Sequence, residues 1–251
     1  MFNFFRKSRP AASGTKPDLS VIGTDMHSHL LPGIDDGSPD WKTSLELIRG
    51  MRELGYKKLI TTPHIMWDMY RNERDDILRK ADTLQTVAQK EFSDIEIKAA
   101  AEYFMDDHFS SLLDGKEPLL TLTGNMVLVE FSLAHRPMSL KDILFDMQLK
   151  GYQPVIAHPE RYVYLENAKD FYDDLRDIGC LFQLNLLSLS GYYGRSSAEL
   201  ANYLIKKEYY DFVGTDLHNF RHLQALQDGL YNAGLRKLLD GGKLRNAELV
   251  D

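Results

Sequence analysis

The residues of this chain best suited to chemistry are histidines and carboxylates standing at the ends of short apolar runs. The sharpest group is Asp25-Met26-His27-Ser28-His29: side chains at i and i+2 of a strand share one face, so two imidazoles can chelate one ion. The loop Gly33-Ile34-Asp35-Asp36-Gly37 follows, placing a carboxylate where it can fold back toward the same centre, although this composition also reads as a plain turn. His64 follows Thr61-Thr62-Pro63, and His158 ends Ile156-Ala157. Each, taken singly, is an ordinary hydrogen-bonded structural histidine. Glu102 and Glu130 close the apolar runs before them, and a carboxylate at the end of a buried strand is costly unless paired or metal-bound. Asp216-Leu217-His218 repeats the same-face spacing of the first group, with a turn as its bland reading.

Taken together these positions point one way. Five of the eight histidines and several carboxylates fall at equivalent points of successive segments, which unrelated structural accidents do not do. Imidazole and carboxylate donors without a thiolate suit manganese, iron or zinc, and the donors are too many for one ion, so two or three divalent metals are expected. His108, His135 and His222 lie off the pattern and read as surface or supporting residues. Cys180 is followed six residues on by Leu186, so the cysteine-arginine loop of a thiol phosphatase is absent. No G-x-x-x-x-G-K-[ST], G-x-S-x-G or G-x-G-x-x-G segment occurs, which removes the common nucleotide-binding and serine-hydrolase readings.

The elements that must carry these residues follow one grammar: an amphipathic stretch, a glycine, then a short apolar run. Ser38 and Pro39 start such a helix, Trp41, Leu45 and Ile48 share its face, and Gly55 ends it before Lys58-Leu59-Ile60-Thr61-Thr62. Residues 139–150 lead through Gly151 to Pro154-Val155-Ile156-Ala157, and 167–178 through Gly179 to Leu181-Phe182-Gln183-Leu184-Asn185. With 20–26, 95–101, 126–131 and 211–215, this makes seven strands alternating with helices, hence an α/β fold with a largely parallel sheet. A (β/α) barrel is expected rather than an open doubly wound sheet, because the candidate ligands stand at or just beyond strand ends along nearly the whole chain, and a barrel gathers those ends on one face.

The 251 residues suit one such barrel over 19–251, behind a flexible extension at 1–18. A net charge of −7 disfavours a nucleic-acid partner, since neutralising phosphates needs clustered Lys and Arg. No apolar run approaches the roughly 20 residues of a membrane span, and a single cysteine fits a reducing, cytoplasmic setting. Phe2, Phe4 and Phe5 beside Arg6, Lys7 and Arg9 offer at most a weak peripheral membrane contact through residues 2–9.

Asp25 to Gly37, Thr62-Pro63-His64, Ala101-Glu102-Tyr103, Val129-Glu130-Phe131-Ser132, Ile156-Ala157-His158-Pro159-Glu160-Arg161 and Thr215-Asp216-Leu217-His218-Asn219 together resemble the polymerase-and-histidinol-phosphatase (PHP) superfamily. Within it they resemble the manganese-dependent protein-tyrosine phosphatases of bacterial capsular and exopolysaccharide operons. The resemblance runs from about residue 23 to the C-terminus and implies a distorted seven-stranded (β/α)7 barrel, the PHP fold. It implies three metal sites: His27, His29, Glu102 and Asp216; Glu102, Glu130 and His158; Asp36, His64 and His218. It also implies Arg161 as a phosphate-binding residue, with Arg221 nearest to the family's second arginine but closer behind His218 than the family pattern has it. The implied substrate is a phosphotyrosine protein, a bacterial tyrosine kinase tail in particular. Histidinol phosphate and a non-catalytic regulatory module stand as the alternatives. Trp67, Tyr70, Tyr103, Phe104, Tyr192 and Tyr193 follow the ligand segments, where aromatics can hold a tyrosine ring or simply pack their loops.

Overall fold

A computed structural model describes residues 19–229 and 233–249. The expected extension at 1–18 and its lipid contact at 2–9 lie outside the described residues. Among the described residues a segment lies in each of the seven expected strands and two more, β3 and β5, follow just beyond: β1 Thr24–Asp25, β2 Lys58–Thr61, β3 His64–Ile65, β4 Glu96–Ala99, β5 Glu102–Phe104, β6 Met126–Glu130, β7 Gln153–Ala157, β8 Leu181–Asn185 and β9 Phe212–Gly214. All pairings between them are parallel. The segments form two sheets, ordered β1-β2-β4 and β3-β5-β6-β7-β8-β9.

This corrects the expectation of a single closed ladder. Two strands break and change sheets: β2 stops before Thr62-Pro63, whose proline has no N–H to give a ladder, and resumes as β3, while β4 stops at Ala99 and resumes two residues later as β5. Neither sheet closes on itself, yet the chain's two ends approach across the seam. A parallel bridge joins Ser28 to Leu217, the Asp216 N–H donates to the His27 carbonyl at 2.7 Å, and the His29 N–H donates to the Leu217 carbonyl at 2.9 Å.

Helices α1 Trp41–Glu53, α2 Arg74–Gln89, α3 Asp107–Asp114, α4 Leu140–Leu149, α5 Asp170–Asp177, α6 Arg195–Lys206, α7 Phe220–Gly229 and α8 Ala233–Asp240 connect or follow the strands. The start of α1 differs from expectation: Asp40, not Ser38, caps it by accepting from the Thr43 N–H. Ser38 is buried instead, donating to the Asp40 carbonyl and accepting from Ser44 Oγ. Gly55 holds φ at 104°, and a Cβ there would meet the Ser20 backbone nitrogen at 2.8 Å, so only glycine fits.

Strand residues alternate between two apolar clusters. Val127 and Val129 join the large cluster that also holds the helix residues Leu47, Leu84, Leu144 and Leu200. Leu128 joins a smaller inner cluster with Met26, Ile60, Ala100, Val155, Ala157 and Phe212. Glu130 stands two residues beyond Leu128, on the inner face. The inner cluster is thus the apolar floor beneath the polar ends of the same strands. Among the described residues no helix is long and apolar enough to cross a membrane.

Candidate metal centre

Strand register brings the first candidate ligands together. His64 pairs directly with Glu102, and Glu130 pairs with Phe104 two residues further along the same strand. The β1 extension supplies His27 and His29, and the segment after β9 supplies Asp216 and His218 from across the seam.

Three groups of donor atoms result, each with all atoms within 4.8 Å of one another: His27, His29, Glu102 and Asp216; His64, Glu102 and Glu130; His29, Asp36, His64 and His218. In the first, His27 Nε2 lies 3.1 Å from Glu102 Oε2 and 3.3 Å from Asp216 Oδ1, while His29 Nε2 lies 3.4 Å from each carboxylate. In the second, His64 Nδ1 lies 3.3 Å from Glu102 and 3.4 Å from Glu130. His158 Nε2 joins it at 3.0 Å from Glu102 Oε1 and 3.8 Å from Glu130 Oε2. In the third, Asp36 Oδ1 lies 3.5 Å from His64 Nε2 and 3.4 Å from His218 Nε2. All nine sequence-derived positions therefore converge, with His64 reaching toward two groups through its two nitrogens.

The donor set fits divalent ions. Donors about 2.1 Å from a shared ion stand roughly 3.0–3.4 Å apart in octahedral or tetrahedral arrangement, which is the spacing seen in the first group. The outer nitrogens are fixed as metal-binding histidines require. His27 Nδ1 meets Gln183 Oε1 at 3.0 Å, His29 Nδ1 meets Asp35 Oδ2 at 2.9 Å, and His218 Nδ1 meets the Asp216 carbonyl at 2.8 Å. All three partners are acceptors, so each of these rings has a place for a proton on Nδ1, and Nε2 would be left to face an ion bound among the donors. His64 Nδ1 is buried without a hydrogen-bond partner although it faces two carboxylates. Two of the three described non-glycine residues with positive φ are His158 at 33° and Asp216 at 52°, and such strain collects where a side chain must be aimed.

Electrostatics point the same way. Burial pushes the Glu130 carboxyl well above the usual range, and Glu102 beside it adds to this. Burial acts against Glu102 and Asp216 too, but the surrounding imidazoles outweigh it and hold both well below the ordinary value. Burial, then neighbouring Arg161, pushes His158 down to about 4, so it is a neutral imidazole with a free lone pair. Burial acts against charge on His27 and His29, but the carboxylates around them outweigh it and push both up; a bound divalent cation would take over that balancing of buried acids.

Arg161 stands at the edge of the cluster. Its Nη1 donates to Asp216 Oδ2 at 2.8 Å, and its guanidinium lies 4.3 Å over the Tyr193 ring. The turn that carries it is anchored by Glu160, which is fully buried: Oε1 accepts from the Asn185 N–H and Ser188 Oγ, and Oε2 from the Tyr210 hydroxyl. Asn185 in turn donates to Asp216 Oδ2 at 2.8 Å. Arg221 is exposed on the first turn of α7, where its N–H donates to Asn219 Oδ1. Tyr70 stacks on His64 at 5.4 Å, and Tyr192 meets His222 edge-on at 5.2 Å. Tyr103 belongs to the core instead, its hydroxyl accepting from the Leu120 N–H. His222 supports the site by contacting the Asp216 carbonyl through Nδ1.

Sequence reasoning passed over Asp35, Gln183, Asn185 and Glu160 as site residues. Gln183 and Asn185 had a visible signal, polar residues alternating with leucine and phenylalanine along a buried strand. Asp35 had none beyond its neighbour, because Asp-Asp-Gly is also ordinary turn composition.

Fold and site define a class: a parallel α/β protein with buried imidazoles and carboxylates gathered at strand ends in a set fit for several divalent ions. Residues 23–227 match the family "Capsular polysaccharide synthesis, CpsB/CapC", and the chain belongs to that family. It is 32% identical over 198 residues, 78% of each chain, to tyrosine-protein phosphatase YwqE of Bacillus subtilis. It is 28% identical to tyrosine-protein phosphatase CpsB of Streptococcus agalactiae, over 78% of this chain and 82% of that one. Among solved structures it is similar to one described with YwqE from Bacillus subtilis and CpsB from Streptococcus pneumoniae as metal-dependent tyrosine phosphatases, at TM-score 0.76 and 30% identity, covering 89% of this chain and 94% of that chain. An amidohydrolase from Mycoplasma synoviae shares the fold alone, at TM-score 0.53 and 13% identity over 93% of this chain and 86% of that one.

Proposed function

We propose that this chain is a metal-dependent phosphomonoesterase that removes phosphate from tyrosine in proteins, acting in the cytoplasm on a bacterial tyrosine kinase that regulates capsule or exopolysaccharide synthesis. The observation that carries this reading is the set of three adjoining donor groups, two of which share Glu102, with Arg161 fixed at their edge. The similarity to YwqE and CpsB, named tyrosine-protein phosphatases, supports the substrate class. The two sheets with their bridged seam are read as a distorted seven-stranded barrel.

His27, His29, Glu102 and Asp216 would hold one ion, Glu102, Glu130 and His158 a second, and Asp36, His64 and His218 a third, with manganese the favoured metal and iron or zinc the alternatives. Bound divalent ions supply acidified water and positive charge beside the phosphorus. The chain's residues do the rest. Arg161 spends one N–H direction on Asp216 and keeps others for phosphoryl oxygens, offering a planar fork to the charge that grows in the transition state. Tyr193 beneath the guanidinium and Glu160 behind its turn keep that fork from swinging away. Arg221, at the rim, would add a second cationic contact to the same phosphate. Tyr70, stacked on His64, offers a ring face beside the cluster for the substrate's phenol. A phenol of pKa about 10 leaves far more readily than a serine alkoxide, so hydrolysis needs no strong general acid.

The test is turnover, with manganese added, of phosphotyrosine peptides, phosphoserine peptides, a nucleic-acid substrate and histidinol phosphate. A clear kcat/KM preference for the phosphotyrosine peptides is expected, abolished by chelation. Preference for histidinol phosphate would move the protein to small-molecule metabolism, and no turnover of any substrate would favour a regulatory binding module.

A further inference from the structure

A second cavity, of about 360 Å³, lies behind the strands that carry His64 and Glu102 and has no part in the chemistry above. Ile65 and Tyr103 form its inner wall. They alternate with His64 and Glu102 along β3 and β5, so one face of the same two strands serves the metal cluster and the other serves the cavity. The loop after β3 is the partition at the surface. Tyr70 stacks on His64 on the cluster side, while Trp67 lines the cavity, its ring stacked on His108 at 4.1 Å. Asn72 pins the loop, donating to the His64 and Ile34 carbonyls.

The cavity has a charge imbalance. Glu73, Asp75 and Glu117 line it against Arg74. Arg74 Nη1 is taken by Asp75 at 3.2 Å, leaving Glu73 and Glu117, both exposed, without an ion pair among the described residues. Glu73 stands at the N-cap of α2 but makes no capping bond with its side chain. Aromatic walls below and uncommitted carboxylates at the rim match a side chain with a long apolar stem and a cationic head. The volume is in the range of small ligand pockets.

We propose that this cavity is a specificity subsite for a basic side chain, lysine or arginine, of the same peptide whose phosphotyrosine sits at the metal cluster. The proposal rests on the phosphatase reading. Extended peptide advances about 3.3 Å per residue, and only a strand's thickness and one loop separate the two depressions, so the basic residue stands about two to four positions from the phosphotyrosine.

The experiment uses the full chain with manganese and phosphotyrosine peptides with alanine flanks, in which one lysine is walked from about four positions before to about four after the phosphotyrosine. A small aryl phosphate is assayed alongside. One lysine position is expected to raise kcat/KM by about fivefold to tenfold, mainly through KM, as a partly screened cation with aromatic and carboxylate neighbours should. Glutamate at that position should lower it. The double variant Glu73→Gln with Glu117→Gln, two exposed residues, should erase the lysine gain and leave aryl phosphate turnover unchanged. A flat lysine profile, a preference for glutamate through Arg74, or a lysine gain that survives in the double variant would overturn the subsite while leaving the phosphatase intact. An enzyme inert toward aryl phosphate and peptides alike would overturn both readings.

Discussion

At the residue scale, the arrangement separates groups proposed to hold metal from groups proposed to meet substrate, and mutation should separate them too. Replacing His27, Glu102 or Asp216 with alanine removes a donor that three or more others surround at 3.1–3.4 Å, so metal content and activity are expected to fall together. Arg161→Ala should retain metal while losing about 10²–10³ in turnover, the usual cost of one preorganised charge-stabilising donor. Arg161→Lys should recover little, since an ammonium cannot both hold Asp216 and fork toward phosphate. His108→Ala, at a ring that packs on Trp67, should keep metal near wild type. Metal analysis beside kinetics reads all four, and equal metal loss in the His108 and His27 variants would sink the assignment. The donors were legible in the sequence because residue type and i, i+2 spacing announce them. Asp35, which orients His29, was not, because a carboxylate that acts through a neighbour carries the same composition as a turn.

At the element scale, the turn from His158 to Arg161 matters more than its length suggests. It is held by Glu160, a buried carboxylate without an ion pair among the described residues, and by Ser197 Oγ donating to the Glu160 carbonyl. Glu160→Ala would strand the Asn185 N–H and the Ser188 and Tyr210 hydroxyls in the interior, at a cost of roughly 3 kcal/mol or more. Glu160→Gln, of the same shape, should lose much less; urea midpoints for the pair measure the difference, and equal losses would show that the hydrogen bonds are not what the residue supplies. Legibility was uneven here. Glycine-terminated helices and apolar runs gave α4, α5, β6, β7 and β8 nearly at their observed bounds, because periodicity reports burial. The strand breaks at Pro63 and Ala100 were hidden, since a run that changes sheets keeps its apolar pattern throughout.

At the scale of the whole molecule, the cluster is held by elements from both ends of the described chain, and its stability should follow its metal. Chelation is expected to lower the melting temperature by an amount that grows with the free metal concentration it removes, because ligand binding to the native state adds stability by mass action. An unchanged melting curve would argue against a resident metal. Cys180 gives an independent reading: it is 1% exposed, and burial pushes its thiol up to about 12. At pH 8 the folded state therefore offers almost no thiolate, and a thiol reagent should react at the rate at which the chain opens, accelerating with urea; rapid labelling in native buffer would contradict the buried placement. The approach of the two segments across the seam was the least legible property, since nothing in either announces its partner. Thr215 donates to Asp25, 190 positions earlier, and the bonds between the His27 and Asp216 segments cross the same seam. During synthesis this distance becomes time. At about 5–20 residues per second, the His27-His29 pair leaves the ribosome roughly 10–40 s before Asp216 and His218 exist. At the start of that interval the nascent chain presents a bare pair of imidazoles, a donor set that favours copper or zinc over manganese. Asp36, Glu102 and Glu130 add oxygen donors on the way, but only Asp216 completes the first donor group, so a chain cut short before residue 216 would lack the proposed first site.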